Sequence, residues 1–269
     1  MTSFTTSDGV RLDYTESGTP TGRPVVLIAG FKAPATSWVY QQKALADYRV
    51  IAFDRRGHGS SEVTELSPTM QRHGADLQEL LDTIDLHNAV LVGGSQGGNT
   101  IWSTVSQFGT ERVAGIVIAD QTPKMLNSAD WPHGFYDYDD AVAHTFFAES
   151  IPDPGRFPAS KKGLVRIGRI LKAMDLRKAR EGAAFSPTEL ALLGDHARAD
   201  WRSAIAGVDV PALFVAGAES EFWPSAHAAA SAALNPLHSA VVLERDGHAA
   251  NIEQPKAFNA ALLAFIEGL

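Results

Sequence analysis

The segment Gly93-Gly94-Ser95-Gln96-Gly97 places a serine hydroxyl between glycines two residues before and two residues after it. A serine becomes a nucleophile when a base takes its proton as it attacks and nearby backbone amides hold the charge that develops. Both needs are met when the serine stands on a sharp turn from a strand into a helix. The flanking glycines let the two backbones approach without a Cβ clash, and the amides at the helix start point toward the hydroxyl. Here the buried-strand run Ala89-Val90-Leu91-Val92 leads in and a helical pattern through Trp102 leads out. The bare five-residue pattern is common enough by chance that this setting carries the reading.

The matching base is His248, in Arg245-Asp246-Gly247-His248-Ala249. It follows a strand run and precedes the last helix. A loop at a strand's C-terminal end can bring an imidazole to the same sheet edge as Ser95. The chain has nine histidines, so position rather than residue type singles this one out.

The elements that must position these groups alternate along the chain. An Asp8-Gly9 turn joins Ser3–Thr6 to Val10–Tyr14 as a hairpin. Short aliphatic runs follow at Val25–Ala29, Val50–Phe53, Ala89–Val92, Gly115–Ala119, Ala212–Ala216 and Ala240–Leu243. Runs without polar alternation are what strands show when both faces of a parallel sheet are covered. Leu77, Leu80, Leu81 and Ile84 fall on one helix face, as do Phe258, Leu262, Phe265 and Ile266 after the helix-opening Pro255. The class is α/β with a largely parallel sheet. From residue 121 to 201 the alternation stops. That stretch reads as a helical insertion, with Ser186-Pro187-Thr188-Glu189 in capping-box form. Residues 1–120 and 202–269 would then make one core domain and 121–201 a lid.

Composition narrows the function. With 45% hydrophobic and 20% charged residues the chain has the make-up of a globular protein. A net charge of −8 argues against nucleic acid as a partner. The absence of cysteine removes thiolate catalysis and cysteine metal sites, and fits a cytoplasmic setting. No apolar run is long enough to span a bilayer, and no stable membrane association, cofactor or metal is expected. The sequence leaves a homo-oligomer open.

With Phe53-Asp54-Arg55-Arg56-Gly57-His58-Gly59-Ser60-Ser61 added to the Ser95 and His248 segments, the chain resembles the α/β-hydrolase fold family over nearly its whole length. It looks most like the serine branch that includes cofactor-free haloperoxidase-like esterases. The resemblance implies a mostly parallel eight-stranded sheet with helices on both faces and a helical lid after the sixth strand. It makes the glycine-rich segment structural, with His58 a local hydrogen-bond partner.

One departure concerns the acid of the triad. Relatives place it after the seventh strand, in a stretch matched here by Gly217-Ala218-Glu219-Ser220-Glu221-Phe222-Trp223-Pro224, where Ser220 occupies the acid's position. Asp120, at the end of the sixth strand run, is the favoured replacement, because some branches of the family carry the acid there. Glu219 and Glu221 are the alternatives. The oxyanion donors implied are the backbone amides of Gln96 and Phe31. Ala29-Gly30 replaces the His-Gly found before the latter in many relatives.

The insertion opens with an aromatic cluster, and Trp131, Phe135 and Phe147, together with Lys32 and Trp223, are the candidate substrate-pocket residues. At least half of the lid's aromatic residues are expected in its own core instead. The basic stretch Lys161, Lys162, Arg166, Arg169, Lys172, Arg177, Lys178 and Arg180 reads as a solvated helix face whose apolar side, including Met174, meets the core. The leading function is hydrolysis of a small, partly apolar carboxylic ester or lactone through an acyl-serine. The alternatives are perhydrolase or haloperoxidase-type activity on the same triad, and a non-catalytic ligand-binding protein on this fold.

Overall fold

The computed structural model describes residues 1–173 and 184–269. The expectations for Met174, Arg177, Lys178 and Arg180 fall outside them. Eight strands form one sheet: β1 (Thr2–Thr5), β2 (Arg11–Gly18), β3 (Pro24–Ile28), β4 (Arg49–Asp54), β5 (Ala89–Gly94), β6 (Val113–Ala119), β7 (Ala212–Gly217) and β8 (Ser239–Leu243). Their spatial order is β1-β2-β4-β3-β5-β6-β7-β8. β1 pairs antiparallel with β2, and β2 antiparallel with β4; every later pairing is parallel.

A short helix, α1 (Val39–Ala44), lies between β3 and β4 in the chain, and each central strand feeds two cores. Ala89 and Leu91 face one side with Leu77, Leu80 and Leu81 of α2 (Met70–Thr83) and Ile101 and Trp102 of α3 (Gln96–Phe108). Val90 and Val92 face the other, against Trp38 and the Phe258, Leu262 and Ile266 stripe of a C-terminal helix, Pro255–Glu267. Helices therefore cover both faces, which is why these strands carry no polar alternation. β5 lies between β3 and β6, so the loops after all three emerge at one edge of the sheet.

The segment after β6 is less helical than expected. Residues 121–158, all of them described, run as turns and bends, tied by a bridge between Lys124 and Asp200. Pro123, Pro132 and Gly134 interrupt any helical run there, and aromatic packing takes over: Met125, Phe135, Tyr138 and Phe147 form a third core with Trp223. Among the described residues of this stretch α-helices appear only later, as α4 (Gly163–Ala173) and α5 (Pro187–Arg198). α5 starts with the capping box read from the sequence, Ser186 and Glu189 each bonding the other's backbone amide.

α4 inverts the expected arrangement. Leu164 and Val165 are 89% and 67% exposed, whereas Lys162 and Arg166 are only 9% exposed. The two cations turn inward because carboxylates wait there, the buried Glu253 and the half-buried Glu219 and Glu221. Glu253 accepts from Lys162 at 2.5 Å and from Arg166 at 2.5 and 2.8 Å, Glu219 meets Arg166 at 2.6 Å, and Glu221 pairs with Lys162.

Candidate active site

Ser95 sits at the β5–α3 junction with φ 51° and ψ −132°, a strained conformation for a residue with a side chain. A Cβ at Gly93 would run into the backbone of Gly97 and Gly98, and one at Gly97 into the Ile28 and Ala29 carbonyls. Tertiary contact holds the turn in place, through the Ser95 amide donating to Ala119 O at 2.9 Å and the Gly98 amide to Ser95 O at 2.8 Å.

The imidazole of His248 bridges two of the other residues singled out. Its Nε2 lies 2.9 Å from Ser95 Oγ and its Nδ1 2.8 Å from Asp120 Oδ2. With Asp120 accepting at Nδ1–H, Nε2 is left as the acceptor for the serine hydroxyl. Asp120 is fully buried, with a positive φ of 44° at the end of β6. It accepts from the Gly217 amide at 2.9 Å and from Ser220 Oγ at 2.6 Å. Burial alone would push its carboxyl up; the His227 and His248 imidazoles beside it outweigh that and hold it at about 2, so it stays ionised. His227 Nε2 is 3.6 Å from Asp120 Oδ1, too far for a hydrogen bond.

Glu219 and Glu221 do not reach the imidazole ring. Glu219 is engaged by Arg166, and Glu221 accepts the backbone amide of His248 at 2.8 Å while pairing with Lys162. They hold the histidine loop to α4. Behind that loop Asp246 is fully buried with neither carboxylate oxygen partnered among the described residues, and burial beside Glu253 and Asp120 pushes it up to about 9.

A cavity of about 620 Å³ opens over Ser95 and His248. Phe31, Trp38 and Ile252 give it apolar walls, and Lys32 and Glu189 stand in its lining. Lys32 is not a bare cation there: its Nζ pairs with Glu189 at 2.9 Å and sits 4.8 Å over the Phe185 ring. Trp131, Phe135 and Phe147 do not line this cavity. Phe135 and Phe147 pack ring to ring at 5.2 Å, and Trp131 donates its indole N–H to Thr122 at 3.1 Å. Trp223 is also outside the cavity. Its ring lies 5.1 Å from that of His248, with Phe222 at 4.5 Å, so the pair walls in the imidazole. The structure thus gives a part to Ser220 and Phe222 that sequence reading did not; the Gly217–Pro224 alignment with relatives was the available signal.

The Gly30 and Phe31 backbone passes close to the serine: a Cβ on Gly30 would stand 2.9 Å from Ser95 Cβ. Among the described residues, no acceptor takes up the Phe31 or Gln96 amide.

A model of the alpha/beta hydrolase fold matches residues 23–255. The chain belongs to that family. Over 99% of this chain and 100% of the other it is 29% identical to a non-heme chloroperoxidase of Streptomyces lividans. A crystal structure of a bromoperoxidase from Bacillus anthracis superimposes with a TM-score of 0.76 at 28% identity, covering 96% of each chain. An esterase from Exiguobacterium antarcticum superimposes with a TM-score of 0.79 over 99% of both chains, at 18% identity a likeness of fold alone. Family membership makes the chain a hydrolase-type enzyme with a small-molecule substrate. No helix among the described residues is long and apolar enough to cross a membrane.

Proposed function

We propose that the chain is a serine hydrolase that cleaves a carboxylic ester or lactone of a small, partly apolar substrate, using Ser95, Asp120 and His248 as its triad. The observation that carries this reading is the continuous hydrogen-bonded line from Ser95 Oγ through the imidazole to a buried, ionised Asp120. In the acylation step His248 Nε2 takes the Ser95 proton as Oγ bonds to the carbonyl carbon. The amides of Phe31 and Gln96 stabilise the oxyanion, and His248 then protonates the departing alkoxide. Water, deprotonated by the same imidazole, releases the acid and restores Ser95. Asp120 keeps its charge throughout and stabilises the imidazolium. Residues 121–201 act as the lid, and the apolar cavity wall fits an apolar acyl or alcohol group. Serine at position 95 speaks against dehalogenase and epoxide-hydrolase chemistry, which needs a carboxylate nucleophile.

A fluorophosphonate probe should label the wild-type protein and leave Ser95→Ala unlabelled, and ester turnover should vanish in Ser95→Ala and His248→Ala. An unlabelled wild type rejects the reading and leaves a ligand-binding protein on this fold. A second reading has support from the chloroperoxidase and bromoperoxidase relatives: the same acyl-serine passed to hydrogen peroxide, giving a peracid. Peracid yield from acetate and peroxide, set against the ester hydrolysis rate, separates the two.

A further inference from the structure

The Arg55 guanidinium is 2% exposed and lies behind the two loops that meet at Ser95. All five of its N–H groups are taken. Nε donates to Ala29 O at 3.1 Å, one terminal nitrogen to Gly30 O at 2.8 Å and His58 Nε2 at 3.0 Å, and the other to Gln96 Oε1 at 2.7 Å and His73 Nδ1 at 3.2 Å. Every acceptor is neutral. The His58 Nδ1–H donates to Arg56 O at 2.8 Å, which leaves Nε2 as acceptor. Among the described residues no carboxylate pairs with Arg55; the neighbouring Arg56 takes Asp76 at 2.6 Å. Burial lowers Arg55 to about 9, against the pull of Asp76 and Asp54, and it remains a cation at neutral pH. Its field shows on its surroundings. Burial and the Arg55 charge together hold His58 and His73 well below the ordinary imidazole value and His196 at about 3.

The peptide bonds it grips are significant. Gly30 O belongs to the same peptide unit as the Phe31 N–H, whereas Gln96, whose backbone amide is the other expected donor, is held through its side-chain Oε1. A cation bonded to a peptide carbonyl polarises that unit and makes its N–H a stronger donor. A buried positive charge with no carboxylate bonded to it also favours negative charge appearing nearby, because little solvent screens it.

We propose that Arg55 is the positioning residue of the oxyanion site, fixing the Phe31 and Gln96 donors in place and biasing them electrostatically toward a developing negative charge. The proposal rests on the reading of Ser95 as an acylated nucleophile. Nothing in the local sequence marks this role, since Arg55 lies in the glycine-rich segment after β4 and its partners come from four separate stretches of chain.

The deciding variant is Gln96→Glu, which keeps the bond to Arg55 and cancels its charge. For p-nitrophenyl butyrate, with active sites counted by fluorophosphonate, kcat on its pH plateau should fall roughly 10- to 100-fold while KM moves less than about threefold. The melting temperature should hold or rise, because the buried pair is strengthened. Arg55→Met should lose kcat to a similar extent and also lose stability. A purely structural arginine predicts the opposite for Gln96→Glu: full kcat per labelled site. That result, or a loss confined to KM, overturns the proposal. So does failure of both variants to keep the wild-type circular dichroism spectrum, which would make Arg55 a determinant of folding only. Absence of labelling and turnover in the wild type is a separate result that removes the nucleophile reading itself.

Discussion

Ser220 Oγ lies 2.6 Å from Asp120 Oδ2, the same oxygen that meets His248 Nδ1 at 2.8 Å. The serine at the acid's usual place in relatives is thus a donor to the aspartate on the neighbouring strand. A buried carboxylate needs several donors to remain ionised, and Ser220 is one of three groups, with the Gly217 amide and His248, that hydrogen-bond to it.

Asp120→Asn should lower kcat by about 10⁴-fold, as loss of the acid and of the productive imidazole tautomer does in serine triads. Glu219→Gln and Glu221→Gln should cost far less, since neither reaches the ring. Steady-state kinetics of the three variants settles which acid serves, and a mild effect in Asp120→Asn would refute the assignment.

Ser220→Ala should act on the same carboxylate more gently. Losing a hydrogen bond to a buried charged group costs about 1–3 kcal/mol. Part of that should appear as reduced thermal stability, and part as a kcat decrease of roughly tenfold with KM little changed. A Ser220→Ala enzyme with wild-type kcat and stability would show that the other donors suffice.

Asp246 gives a pH dependence of stability with a definite sign. Its ordinary value is 3.8, and in the fold it is pushed up to about 9. Between those values the folded state holds a proton that the unfolded chain has released, so stability is complete below about pH 4 and is lost as pH rises toward 9. The slope is at most about 1.4 kcal/mol per pH unit. Asp246→Asn has no such proton, so urea unfolding should show the two proteins alike near pH 4 and the variant increasingly more stable above it. A difference that stays flat with pH would count against the shift.

Glu253→Gln should release the clamp on α4. Glu253 is the carboxylate shared by Lys162 and Arg166, and removing one partner of a buried ion pair costs about 3–5 kcal/mol. Thermal unfolding should report that loss. Because α4 borders the cavity through Ala173, the ratio of long-chain to short-chain ester turnover should change as well. An unaltered ratio would show that α4 does not shape selectivity.

The sheet was legible because its physics is local to each run. Val25–Ala29 or Ala212–Ala216 can be apolar throughout only if both faces are covered, and they are. β2 was harder to delimit. It continues past Tyr14 through polar Thr15, Glu16 and Ser17 because Ala52, Ile51 and Val50 of β4 pair with them, a partner no local pattern reveals. The positions of Ser95 and His248 could be read from strand ends. The cavity lining could not, because an aromatic side chain such as Phe135 has the same local pattern whether it lines a cavity or packs against Phe147. Nor could the inward turn of Lys162 and Arg166, which is set by Glu253 some 90 residues away in sequence.

The strained backbone at Ser95 has a consequence for anyone breeding this protein for robustness. A glycine at that position would relax the φ of 51° and should raise stability by about 1 kcal/mol, while removing the hydroxyl. If Ser95 is the nucleophile, a library screened only for heat resistance would therefore enrich inert descendants at a position where comfort and turnover oppose each other. Selection has to read product, not survival.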